Sequence, residues 1–389
     1  HKPREQRLDP SIIGTISPRP TSEYCEAHVT GDREAALHDR MRNLGAMLLG
    51  SLPGFSVPIV VISRLPPNSS DSLLLAISIA LVVTTIAGST LEASYTARAI
   101  NLIGAGLTPA RSAMVAAILR SASFGAIGTA ALYPALSLVY GLSSGRTDLT
   151  VTLLTSLLPI ALAAPISCAS APIVGTLVAN GRIPRVLISQ AFKGLPAILA
   201  VLLTTEITVI ALVIVAGEAL RTWYLFKGVE HAAPATGRME FPKIVTLLNQ
   251  IGSVSISQLL PIYVRAALAS AGLGAISSGD MAIRLYSGAN QVMSSAVVLP
   301  AVAAVPKHIR ESADARQYSK TVVLLMLRTA RSGAIVAAVL ATATVAAYFG
   351  ADKLGLDDDL ITGLSWAPIL LTALPSLGLN ILGSRILLM

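Results

Sequence analysis

Residues 119–127 read LRSASFGAI, and residues 327–335 read LRTARSGAI. The pattern L-R-x-A-x-x-G-A-I recurs with one spacing, 208 residues apart, and both copies lie inside long apolar runs. At a shift of 209 the preceding segment aligns too: Asp71 with Asp280, Ser78 with Ser287, Ala80 with Ala289 and Arg98 with Lys307. The following segment pairs Pro159 and Pro165 with Pro368 and Pro375. Ala matches are cheap in such a chain. An acid at one mouth of an apolar segment and a base at the other are not.

The copies sit in a chain that is 53% hydrophobic and 13% charged, with a mean hydropathy of +0.69. Soluble domains are about one quarter charged. Stretches of about 20 apolar residues cross the hydrocarbon core as helices. Ten occur, near 41–63, 72–97, 112–140, 149–180, 184–203, 207–225, 244–269, 280–305, 321–349 and 361–386. Period-2 alternation is absent, which argues against a membrane barrel. The sequence therefore predicts an all-α integral membrane protein.

Spans two, three and four map onto spans eight, nine and ten. Six helices separate each pair, an even number, so both copies point the same way. This is a parallel repeat about an axis along the membrane normal. It divides the chain into a flexible polar tail (1–40), an N-terminal lobe of six helices (41–225), a cytoplasmic linker (226–243) and a C-terminal lobe of which four helices are present (244–389). The start without Met and the end at Met389, in or just after an apolar helix, read as a fragment whose second lobe is incomplete.

The net charge of +8 does not imply nucleic acid, because Lys and Arg gather in the cytoplasmic loops of multispanning proteins. With the N-terminus inside, twelve fall in inner loops and four, Arg64, Arg146, Arg265 and Lys353, in outer ones. Cys25 and Cys168 make no disulfide framework, and the five histidines show no metal-ligand spacing. No G-x-x-x-x-G-K-[ST] loop is present, so neither a nucleotide nor another cofactor is expected. The first forty residues lack the apolar core of a signal peptide.

A charge at mid-bilayer costs ~3 kcal/mol and needs a reason. Arg120 lies eleven residues beyond Pro109, ~16 Å along a helix. Arg328 occupies the same place in span nine, with Arg331 one turn on. These three can line a cavity and attract a diphosphate, since the guanidinium fork matches phosphate oxygens. They can equally snorkel to the inner interface or pair within a lobe. Glu92 can pair with Arg120; Ala301 stands in its place in the second copy. Asp280 and Arg284 are spaced for a local ion pair at the mouth of span eight. Asp71, Asp280 and Glu92 are candidates for gating or ion pairing. Asn290, Gln291 and Gln258, with Asn249 and Gln250, can meet sugar hydroxyls or bond between helices. Lys193 and the Glu218–Arg221 pair read as interfacial. The stretch 306–320 reads as a short surface helix on anionic lipid.

The stretch DMAIRLYSGANQVMSSAVVLPAVAAVPKH (280–308) resembles the eighth helix of the MOP superfamily of exporters, on its lipid II flippase and Wzx-type polysaccharide flippase side. Ala282, Arg284-Leu285 and Leu299-Pro300 carry the likeness. Residues 50–83 resemble the first helical hairpin of the same superfamily. The resemblance covers roughly 41–389. It implies a V-shaped, two-lobe carrier that moves a polyprenyl-diphosphate-linked saccharide across the bacterial cytoplasmic membrane by alternating access. It also implies a monomer among membrane lipids, beside cell-wall or polysaccharide assembly machinery, and marks Arg284 as the leading substrate residue. The sequence departs from the superfamily at its first helix. Residues 43–63 hold no charge, where lipid II flippases carry cations, and no acid, where the multidrug branch often carries one. The rival readings are a drug or cation antiporter of the same fold and a polyprenyl-phosphate-using membrane enzyme. The short outer loops and the lack of paired acids at a helix end tell against the enzyme.

Overall fold

The computed structural model describes residues 22–104, 107–229, 239–293 and 315–354, with short pieces between 361 and 372. Residues up to Arg42 separate as one unit and Asn43–Met389 as another. Among the described residues every regular element is a helix.

The elements are α1 (Ser22–Arg64), α2 (Pro67–Val83), α3 (Ser89–Gly104), α4 (Arg111–Ser144), α5 (Thr147–Leu154), α6 (Ala163–Ala169), α7 (Ala171–Ala179), α8 (Ile183–Ile188), α9 (Ala191–Leu203), α10 (Ile207–Phe226), α11 (Ile244–Ala271), α12 (Ala275–Met293) and α13 (Ala315–Leu354). Helix α1 already runs from Ser22, so the backbone of 22–40 is helical where composition alone reads as a tail. Seven stretches are long and apolar enough to cross a membrane. Counting α11, which bends by 41° between Leu247–Ile256 and Pro261–Ala271, gives eight. Residues 294–305 of the expected span eight, and most of span ten, lie outside the described residues. The apolar surface points outward as lipid demands: Leu142 is 81% exposed and Leu203 84%.

Two spans are broken, each for a local reason. In span two, α2 passes into α3 through a π-turn at Thr84–Gly88. Span four divides into α5, a 3-10 turn at Leu158–Leu162, α6 and α7. Pro159, Pro165 and Pro172 fall at these breaks. Each lacks the N–H that a continuous helix would use and clashes with the preceding turn. The stretch 315–320, expected in a surface helix, is instead the first turns of α13; residues 306–314 lie outside the described part.

The repeat holds in three dimensions. Helix α2 packs on α4, and α12 packs on α13. Over 119–127 and 327–335 burial agrees position by position: Ser121 and Thr329 are buried, Gly125 and Gly333 are buried, and the paired Leu, Arg and Ile are exposed. The motif thus joins a contact face to a free face. On the contact face, a Cβ at Gly125 would stand 2.8 Å from Cys168 Cβ, so only glycine lets α4 and α6 approach this closely.

Candidate functional site

The repeat-related acids Asp71 and Asp280 meet where α2 and α12 begin. Helix α12 follows a tight turn in which Gly272 and Gly274 have φ of +127° and +82°, a conformation that favours glycine. Gly274, at the helix's N-cap, has no side chain to satisfy the first N–H groups. Asp71 does this from the other copy. Its Oδ2 accepts from the Gly274 amide (3.0 Å), and its Oδ1 accepts from the Ser277 amide (3.0 Å) and hydroxyl (2.6 Å). A carboxylate at a helix N-terminus also meets the positive end of the dipole. Arg146 stands 3.8 Å from the same carboxylate and donates to Asn68 at 2.8 Å.

The second acid returns the grip. Ser78 of α2 donates to Asp280 Oδ1 at 2.8 Å, and Ser70 Oγ lies 3.1 Å from Ser277 Oγ. Asp280 also faces Arg265 at 3.5 Å. Both Asp side chains are buried, at 0% and 1% exposure. Each copy therefore clasps the first turns of the other through its own acid. Arg265, expected in an outer loop, is instead buried inside α11.

A second polar cluster lies inside the first six spans. Glu218 of α10 is held from two sides: Lys193 Nζ of α9 is 3.3 Å from Oε2, and Arg221 Nη1 is 2.8 Å from Oε1. Arg221 also reaches Ser170 Oγ at 3.3 Å. Lys193 and Glu218 line a cavity of about 360 Å³ walled by α1, α2, the broken span four, α9 and α10. These three charges, which sequence reasoning assigns to the interface, form one buried group instead. Glu218 and Arg221 share a turn of α10, and a Pro196-bearing α9 packs beside it because Gly217 has no side chain: its Cβ would stand 2.6 Å from Phe192 O.

The remaining sequence candidates are scattered. Arg120, Arg328 and Arg331 are exposed on α4 and α13 and do not line that cavity. Glu92 is half-buried and forms no ion pair with Arg120. Gln258 is half-buried on α11, Asn249 is exposed, and Gln250 Oε1 accepts from Ser94 of α3 at 3.2 Å. Arg284, Asn290 and Gln291 fall on the helical backbone of α12, but their side chains lie outside the described residues, so the Asp280–Arg284 pairing does too. Sequence reasoning missed Ser277, Arg265 and the Lys193–Glu218 contact. The one signal for Ser277 was the Gly-Leu-Gly turn before an uncapped helix.

No protein-family model matches the chain, and no curated protein does. Solved structures do. A crystal structure of MATE in complex with MaD3S superposes with a TM-score of 0.59 and 16% identity, over 90% of this chain and 84% of that one. The chain has the fold of a MOP-superfamily transporter. A multidrug resistance MATE family transporter of the MOP superfamily in an inward-facing conformation gives 0.57 at 13% identity, over 90% of this chain and 86% of that one. An outward-facing one gives 0.57 at 14%, over 90% and 84%. At such identities the likeness is one of fold. The MOP fold and the apolar helices together make this a multi-pass membrane protein.

Proposed function

We propose that the protein is an exporter that carries a polyprenyl-diphosphate-linked saccharide across a bacterial cytoplasmic membrane by alternating access. The observation that supports this most is the reciprocal clasp of Asp71 and Asp280. With the N-terminus inside, as the Lys/Arg distribution favours, the clasp closes the outer mouth between the two copies. It is built from short hydrogen bonds between two rigid helix ends, which a rocking of one half against the other breaks together. The inward- and outward-facing neighbours show that the fold itself takes both states.

The charges favour an anionic cargo. Arg120 and Arg328 project from equivalent positions of the two copies, with Arg331 beside the second. Guanidinium groups suit a diphosphate. The carboxylate in the cavity offers little to a cation, because both of its oxygens already meet cations. Arg284 and the polar groups Asn290, Gln291 and Gln258 complete the proposed cargo path on the second copy. A drug or cation antiporter is the second reading, favoured by the multidrug transporters among the neighbours.

The test is transport by the full chain in proteoliposomes. A fluorescent undecaprenyl-diphosphate disaccharide should move between leaflets faster than in empty vesicles, and Arg120→Gln with Arg328→Gln should slow it about tenfold, the worth of one charge-assisted contact. Ethidium efflux without lipid movement would establish the antiporter instead.

A further inference from the structure

The cavity among the first six spans is large enough for an organic molecule; ligand pockets start near 300 Å³, and this one holds about 360 Å³. Its wall is mostly apolar, with Phe55, Leu81 and Ile214 at different sides, and a polar end holds Lys193, Gln190 and Ser51. That end has an excess of positive charge. Lys193 and Arg221 both bind the single carboxylate of Glu218. Arg221 is 4% exposed, and its Nε has no hydrogen-bond partner among the described residues. Lys193 keeps 32% of its side chain open and carries three donors, with one ionic partner at 3.3 Å. Glu92 acts on Lys193 through space without reaching ion-pair distance.

We propose that this cavity binds an amphiphilic organic anion, a carboxylate or phosphate monoester on an apolar body, with the anionic group at Lys193. Gln190 and Ser51 supply further donors, and the apolar body lies against Phe55, Leu81 and Ile214. A cationic guest would have to take Glu218 from Lys193 or Arg221 and leave a cation without its partner in a water-poor space, which is costly. An anion instead completes the charge balance of the group. The site lies inside one half of the molecule, away from the clasp and from Arg120 and Arg328, and it needs no transport to be occupied.

Photolabelling of the full chain in a non-ionic detergent tests this. The probes are benzophenone-4-carboxylate and its trimethylammonium counterpart, with labelled peptides mapped by mass spectrometry. The carboxylate should label segments 50–57, 77–84 or 190–197, and the cation should label them about tenfold less, one charge-assisted contact being worth that much. Lys193→Gln should remove the preference and Lys193→Arg should keep it. Leu81→Trp, which fills the cavity without touching the ion pairs, should block labelling even if Lys193→Gln fails to fold. Equal or stronger labelling by the cation, no label in these segments, or labelling unchanged in Lys193→Gln and Leu81→Trp would overturn the proposal. Because the readout is binding in detergent, failure of the export reading leaves it intact, and the converse holds as well.

Discussion

Glu218 shows what one residue carries in this molecule. Its carboxylate is the only acid in contact with both Lys193 and Arg221, and it is 5% exposed. Removing one partner of a buried pair leaves an uncompensated charge, at a cost of about 3–5 kcal/mol. Glu218→Gln should therefore lower thermal stability markedly in detergent, while Asp148→Asn, whose acid is 69% exposed beside Arg146, should change it little. A Glu218→Gln protein that melts with the wild type would show that the cluster is solvated. Asp71 differs in kind. Asp71→Ala removes three acceptor contacts and leaves the Gly274 and Ser277 amides without their partner, at about 1–3 kcal/mol for each unsatisfied group; hydrogen exchange at the start of α12 should rise. At this scale the sequence told only part of the story. Asp71 and Asp280 stood out because apolar sequence seldom carries acids at matched positions. Lys193 and Glu218 did not, because contacts between different helices leave no spacing to read.

At the scale of elements, glycines and prolines decide how closely the helices approach. Gly194 on α9 meets Pro53 and Gly54 of α1 so closely that an added Cβ would stand 2.5 Å from backbone atoms. Backbone cannot yield as a flexible side chain can, and overpacking costs about 1–3 kcal/mol. Gly194→Val should destabilise the protein by that amount or more, read as a shift in melting temperature, whereas Gly45→Ala, with open space around its Cβ, should be neutral or slightly stabilising through helix propensity. The same logic explains the repeated motif. Its glycine packs, and its Arg stays free on the opposite face. The helices were legible in the sequence from apolar length. The π-turn at Thr84–Gly88 and the division of span four into several pieces were not, because a proline announces a possible break while the neighbouring helices decide its form.

At the scale of the whole molecule, the duplication was legible before any coordinates: a same-direction repeat, with matched acids and matched arginines, in a chain too apolar for water. The structure adds the way the copies meet. Asp71 of one caps the helix of the other, and Ser78 answers to Asp280. The central claim is that this junction must open for the carrier to work. Ser70 Oγ and Ser277 Oγ are 3.1 Å apart across it, near enough that cysteines at both positions should bridge. The decisive measurement is leaflet-to-leaflet movement of the fluorescent lipid-linked disaccharide by the Ser70→Cys, Ser277→Cys protein, oxidised and then reduced. The account predicts movement lost on oxidation and restored by reduction. Full movement with the bridge closed would contradict it.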